Sequence, residues 1–292
     1  MGVKLENNIK TVITAGGLGT RLMTLTKEIP KEMLPVYSID RKKNLYVKPL
    51  IEQIFHQSFS LGIRNYAIIV GKQKRTIEDH FTPDNFSYNG NKSKRKINSE
   101  LKKFYDRISK STIHWINQLG SNGFGHAVLM AETFVGNDSF IVQAGDMLIL
   151  SKKNHPLKKI INSKLENKYD GIILVQKVKD PRQYGVASII KENGEYIVKK
   201  VVEKPKKPDG NMAMIPIYKF NPSIFEMLKQ INYEKKELQL TDGIQKLIKK
   251  GGKVKAIILD KSDIVLDVGT PYSFYEAQNI SMKYLKNNKN SF

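Results

Sequence analysis

Short apolar runs alternate with amphipathic stretches through the first half of the chain, and this alternation constrains the fold most. Thr11–Ala15, Tyr66–Val70, Thr112–Asn117 and Ser139–Ala144 read as strands. Between them, Pro49–Leu61 has apolar residues at helical spacing and ends at Gly62, and Thr76–Phe81 and His126–Val135 continue the pattern. Strand–helix–strand order of this kind predicts a mostly parallel sheet with helices on both faces. From Asp170 the pattern changes. Gly171–Val178, Val186–Ile190, Tyr196–Val202 and Met214–Phe220 are strand-like and separated by turns such as Glu192-Asn193-Gly194, which predicts antiparallel strands added to the sheet. Helices are expected around Ser223–Gln230 and Asp242–Lys249. A hairpin-like pair, Val254–Leu259 with Ile264–Val268, leads to a last helix opened by Pro271. The fold class is α/β.

The most informative local wording is Ala15-Gly16-Gly17-Leu18-Gly19-Thr20-Arg21, followed by Pro30-Lys31-Glu32-Met33-Leu34-Pro35. Glycines after a strand let the backbone approach a polyphosphate and turn N–H groups toward it. Arg21 and Lys31 add a bidentate fork and a compact point charge beside that cradle. The Walker A spacing does not occur. The dinucleotide fingerprint also fails, because Leu22 stands where its third glycine belongs.

Taken together, Gly16 to Pro35 resembles the signature of sugar-nucleotide pyrophosphorylases, and the Lys-Glu-Met-Leu-Pro wording is most similar to bacterial and archaeal UTP–glucose-1-phosphate uridylyltransferases. Further segments resemble the family in order over roughly residues 10 to 280. These are Gln118 with Gly123-Phe124-Gly125-His126-Ala127-Val128, Ala144-Gly145-Asp146, Tyr184-Gly185-Val186, Val202-Glu203-Lys204-Pro205, Gln239-Leu240-Thr241-Asp242 and Asp267-Val268-Gly269. Two positions depart from the family's pattern: Thr24, where proline is usual, and Pro216, where glycine is frequent.

The resemblance implies a Rossmann-like nucleotidyltransferase fold in one domain, residues 1–292. A nucleotide-binding part would occupy about 8–150, a sugar-phosphate part about 151–270 and a C-terminal helix about 271–287. It implies magnesium-dependent transfer between UTP and glucose 1-phosphate, giving UDP-glucose and pyrophosphate. Arg21 is expected to grip the leaving pyrophosphate, Lys31 to neutralise the α-phosphate, and Lys204 to hold the phosphate of the sugar. Glu203, near Gly185, would accept hydrogen bonds from sugar hydroxyls. Backbone groups of Ala15, Gly16 and Gly123, with the Gln118 amide, would meet the uracil edge, alongside Gly17, Gly19 and Thr20 around the nucleotide. Asp146 and Asp267 would hold Mg2+. His126, near a helix start, reads as a packing or capping residue. Alternatives are a thymidylyltransferase or another sugar-1-phosphate nucleotidyltransferase, and, in a different class, a non-catalytic sugar-nucleotide sensor.

Composition bears on partners. Lys and Arg number 49 against 28 Asp and Glu, a formal net charge of +21. Such an excess invites a nucleic-acid reading, but only seven of the 49 are arginine, the residue that reads bases and phosphates bidentately. No nucleic-acid partner is expected. The stretch from Lys92 to Lys110 is the densest basic segment and reads as a polar loop followed by a helix near Glu100–Ile108. Apolar runs such as Ala67–Val70 are strand-sized, far below the ~20 residues of a membrane span. Met1–Lys10 lacks an apolar core, and Glu6 stands where a myristoylation signal wants Ser or Thr. A cytoplasmic homo-oligomer, dimer or tetramer, with no membrane contact is expected. The absence of cysteine excludes thiol nucleophiles, thiolate zinc sites and disulfides.

Overall fold

The computed structural model describes residues 9–40, 43–83, 99–152, 154–165, 168–234 and 236–287. Strand β1 (Lys10–Ala15) is buried along all but its first residue. It pairs in parallel with β4 (Asn65–Val70) on one side and with β6 (Phe140–Ala144) on the other, and β5 (Thr112–Asn117) extends the sheet beyond β4. This is the parallel half that the apolar runs predict.

The sheet continues past β6 through β8 (Gly171–Lys177), β9 (Gly185–Glu192), β10 (Glu195–Glu203), β11 (Met212–Phe220) and β12 (Val254–Ile258), giving nine strands in the order β5-β4-β1-β6-β11-β8-β12-β10-β9. Here β11 runs antiparallel to β6 and β8, and β9 and β10 form a hairpin. Its two-residue turn has positive φ at both Asn193 and Gly194, the geometry that matches strand twist. Pro216 falls in an irregularity of β11, where the register to β8 slips between Ile215 and Tyr218. A bulge tolerates a residue with no N–H to donate.

Successive residues of β1 face opposite layers. Ile13 joins Ile54, Phe55, Leu148 and Ile160 on one face. Val12 joins Val142, Phe225, Ile244 and Leu247 on the other. Helices Leu50–Ser60 and Pro271–Asn287 cover the first layer; helices Phe124–Leu129, Ser223–Lys229 and Leu240–Lys249 cover the second.

Three sequence expectations change. The stretch His126–Val135 is two short helices, Phe124–Leu129 and Glu132–Val135, rather than one. Val254–Leu259 and Ile264–Val268 do not pair with each other. Both edges of β12 are taken, by β8 and β10, so the chain turns away at Asp260–Asp263, where Asp260 N donates to Asp263 Oδ2 at 3.0 Å. The next strand, β13 (Ile264–Asp267), pairs instead with β7 (Met147–Leu150) in a separate two-stranded sheet. The third change is a hairpin, β2 (Pro35–Ile39) with β3 (Leu45–Pro49), absent from the sequence reading.

The basic stretch divides. Lys92, Lys94, Arg95 and Lys96 lie outside the described residues. Its second part is the predicted helix, Ser99–Ile108, which anchors through fully buried Phe104 against Phe55 and Phe81 at centroid distances of 5.9 and 5.1 Å. Beneath it sits a buried polar cluster. Lys48 Nζ lies 2.9 Å from His56 Nδ1, and His80 Nε2 lies 3.0 Å from Glu52 Oε2. Burial, reinforced by the Lys48 charge, holds the His56 imidazole down at about 2. No helix among the described residues is long and apolar enough to cross a membrane.

Candidate active site

A cleft of about 530 Å³ opens at the C-terminal ends of β1, β5 and β6, where open α/β sheets place their ligands. The glycine-rich turn forms one wall. Gly19 takes a left-handed conformation (φ 68°), and its carbonyl accepts from Thr26 Oγ1 at 2.8 Å, which closes the loop. The chain then enters a single 3₁₀ turn, Thr20–Leu22. Leu22 is buried as its anchor, and Arg21 is left on the cleft side.

The Pro-Lys-Glu-Met-Leu-Pro run works in the same way. Its 3₁₀ turn, Lys31–Met33, sends Lys31 into the cleft and buries Glu32 and Leu34. Lys31 Nζ lies 2.5 Å from Asp146 Oδ2. Burial works against the lysine's charge, but the carboxylates of Asp146, Glu32 and Asp267 outweigh it, and the ammonium titrates above its ordinary range. For Asp146, burial favours the neutral acid; the Lys31 charge and hydrogen bond override it and hold the carboxyl below its ordinary range. Glu32 is 1% exposed and is met by Lys74 Nζ at 2.8 Å. This buried pair lies directly under the cleft and carries no sequence signal of its own.

Asp267 arrives by the unexpected strand pairing. In the β13–β7 register it stands opposite Met147, the residue after Asp146. Its Oδ1 accepts from Gly269 N at 3.0 Å. Burial, and then the nearby Asp146 charge, push its carboxyl above the ordinary range. Arg21 reaches the same corner, since a Cβ on Gly269 would lie 3.0 Å from Arg21 Nη2.

At the other end, Gln118 follows β5, and its backbone N donates to Val70 O at 2.7 Å. A Cβ on Gly16 would collide with Gln118 Oε1, so only glycine allows the amide to lie across the turn. Gly123 has φ 100°, and a Cβ there would come within 2.5 Å of Leu238 O. The loop before helix Leu240–Lys249 closes on this segment: Leu238 N donates to Asn122 O and Gly125 N to Leu238 O, both at 2.8 Å.

Lys204 follows β10 with φ 39°, and its N donates to Tyr184 O at 3.0 Å. Its side chain is 59% exposed, with Nζ 3.6 Å from Glu203 Oε1. Glu203 Oε2 accepts from Thr241 Oγ1 at 2.6 Å, and Gly185 lies against the same carboxylate.

Gly16, Gly17, Gly19, Thr20, Arg21, Lys31, Gln118, Gly123, Asp146 and Lys204 therefore line one cleft. Ala15 is buried behind it, and Gly185, Glu203 and Asp267 border it without lining it. Gln183 and Glu237 also line it; Gln183 directly precedes the Tyr184-Gly185-Val186 segment and Glu237 lies two residues before Gln239, but neither carries a sequence signal of its own.

A parallel sheet whose strand ends converge on a glycine-rich turn, two cations and two carboxylates suits the handling of phosphates. Residues 10–283 match the sequence profile of the nucleotidyl transferase family, and the chain belongs to it. A UTP–glucose-1-phosphate uridylyltransferase of Streptococcus pneumoniae serotype 4 is 39% identical over 249 residues, 82% of this chain and 80% of that protein. One from Streptococcus pyogenes serotype M1 is also 39% identical, over 252 residues with the same coverage. Among solved structures, a UDP-glucose pyrophosphorylase complexed with UDP-glucose superposes with a TM-score of 0.79 at 30% identity, covering 94% of this chain and 99% of that one. A UTP-bound enzyme from Acinetobacter baumannii gives 0.74 at 25% identity, covering 95% and 94%.

Proposed function

We propose that the chain transfers a uridylyl group from UTP to glucose 1-phosphate, releasing pyrophosphate and UDP-glucose. The observation that carries this reading is the gathering of Arg21, Lys31, Asp146 and Lys204 in one cleft from four separate segments. An oxygen of the sugar phosphate attacks the α-phosphorus of UTP. A bond forms there as the bond to the bridging oxygen of the leaving pyrophosphate breaks. Two polyanions must meet in line, so the barrier is positional and electrostatic.

In this reading, Arg21 at the glycine-rich turn meets the β- and γ-phosphates, and Lys31 meets the α-phosphate as charge develops on it. Lys204 meets the phosphate of the sugar, and Glu203, aligned by Thr241 and beside Gly185, meets sugar hydroxyls. Gln118, Ala15, Gly16 and Gly123 form the base pocket, with Gly17, Gly19 and Thr20 around the phosphates. The nucleotide side falls within residues 8–150 and the sugar side within 151–270.

Asp146 and Asp267 fit a magnesium ion. They come close enough for the Asp146 charge to raise Asp267, a repulsion that a divalent cation relieves. No group of three or more metal-ligating side chains occurs among the described residues, which suits an ion that takes its remaining ligands from phosphates and water. When bound, magnesium neutralises phosphate charge.

A substrate matrix tests the proposal: four nucleoside triphosphates against several sugar 1-phosphates, with and without chelator. Pyrophosphate release with UTP and glucose 1-phosphate, lost on chelation, is expected. Release from no pair, or only from pairs lacking UTP, would defeat it. A homo-oligomer completes the reading. In the last helix Phe274 packs against the core, while Tyr272 and Tyr275 are 74% and 61% exposed. Light scattering should give a mass of two or four chains.

A further inference from the structure

Gln118 is held at its backbone, so the remaining freedom at the base pocket lies in its amide. Gln118 Nε2 is 3.2 Å from the Gly123 carbonyl and 3.2 Å from His126 Nδ1. Both contacts claim the nitrogen end. The oxygen end is left against Gly16, on the cleft side.

That orientation is informative about pyrimidines. Uracil offers an N–H donor at N3, whereas cytosine offers a lone pair there beside an amino group. A glutamine that presents oxygen accepts from uracil N3–H, whereas at cytosine the same oxygen faces the N3 lone pair, acceptor against acceptor. The same glutamine turned over presents NH₂ and matches cytosine instead. Gly123 O can only accept. His126 Nδ1 accepts only when it carries no proton.

We infer that His126 is a positioning residue that selects uracil over cytosine by holding the Gln118 amide with its oxygen toward the base. The inference rests on the proposal that Gln118 meets the nucleotide base. Burial holds the His126 imidazole below its ordinary range, so the ring is neutral at neutral pH, and in the tautomer with its proton on Nε2 it accepts from the Gln118 amide at Nδ1. Among the described residues no charged side chain counters this shift. The ring faces Tyr233 at a centroid distance of 6.0 Å. Glu237, on the loop closing over Gly123, has Oε2 engaged by Gln239 Nε2 at 3.0 Å. In acid the protonated ring sets a donor against the Gln118 NH₂, and the amide loses one of its two anchors.

The test measures KM for UTP, CTP and glucose 1-phosphate from pH 5.5 to 8.5 in the wild type, His126→Asn and His126→Leu. Asparagine can offer an oxygen near the position of Nδ1 and does not titrate in this range. Leucine offers nothing. One hydrogen bond corresponds to about a five-fold change. The wild type should show a rise of that size in UTP KM toward acid, and His126→Asn should lack it. His126→Leu should show it at every pH, with the UTP-to-CTP preference reduced and the glucose 1-phosphate KM unchanged. An unaltered preference in His126→Leu, or the same acid rise in His126→Asn, would overturn the inference. If the leucine variant does not fold, the asparagine profile alone decides. A wild type that turns over no UTP would overturn the uridylyl reading and this inference with it. Normal UTP turnover with insensitive variants removes this inference alone.

Discussion

Lys31 Nζ lies 2.5 Å from Asp146 Oδ2, joining residues 115 positions apart across the mouth of the cleft. The contact keeps the carboxylate ionised and the ammonium charged in a site where burial alone would discharge both. The cation proposed for the α-phosphate is thus held in place by the carboxylate proposed for the metal.

Removing either member of the carboxylate pair should cripple turnover without unfolding the chain. Loss of one preorganised electrostatic group costs about 10²–10³-fold. Asp146→Ala and Asp267→Ala should each lower pyrophosphate release by that factor, with unchanged far-UV circular dichroism. Near-normal activity in either variant would take that residue out of the proposed site.

Lys204 stands largely in solvent and contributes little to the fold, because exposed ion pairs such as its contact with Glu203 are worth only about 0–1 kcal/mol. Its replacement should therefore be read in substrate use. A hydrogen bond to a charged group is worth about 1.5–3 kcal/mol, or about 10–100-fold. Lys204→Ala should raise the glucose 1-phosphate KM within that range and leave the UTP KM and the melting temperature nearly unchanged.

Gly16→Ala and Gly17→Ala should behave differently although they are neighbours. The first drives a methyl into Gln118 Oε1 and displaces the amide, while the second meets Lys31 Nζ at 3.2 Å, the mobile end of a long side chain. Steady-state assays should show UTP KM raised about ten-fold or more in Gly16→Ala, the loss of roughly one charged or paired hydrogen bond. Gly17→Ala should shift it less. Equal effects would argue against a defined orientation for Gln118.

The buried cluster under helix Ser99–Ile108 links stability to pH through His56. In the folded chain its pKa is about 2, against an ordinary value of 6.5 in the unfolded chain. Between these values the unfolded state binds the extra proton. Stability is therefore full above 6.5 and is lost as pH falls toward 2, by up to about 1.4 kcal/mol per pH unit. Urea unfolding at pH 4.5, 5.5, 6.5 and 7.5 should give a shallower acid slope in His56→Gln than in the wild type. Parallel slopes would place the acid sensitivity elsewhere.

Much of the site was legible because its signals are local. A strand, a glycine turn and Arg21 follow one another within a dozen residues, and the Lys31 run repeats the device. The β2–β3 hairpin was hidden for a physical reason. Its inward positions include Ser38 and Lys48, both buried, so polar residues interrupt the alternation that marks a strand. The position of Asp267 depended on which strand β13 chose, a non-local outcome that periodicity does not encode. The Glu32–Lys74 pair and the His126–Gln118 contact have no spacing rule either; each exists only once the sheet brings its elements together.

The five residues from Glu237 to Thr241 bear on how such a chain can diversify. They close on the proposed base pocket through Leu238, which bonds to Asn122 and Gly125, and they brace Glu203 through Thr241. If Gln118 and Glu203 have the roles proposed above, base choice and sugar choice share one strut, and the proposed nucleotide and sugar sides are not separable cassettes. A chimaera that exchanges residues up to about 150 with those of a relative of different base preference must carry a matching 237–241 segment. Otherwise it inherits a mismatched wall on both sides of the cleft.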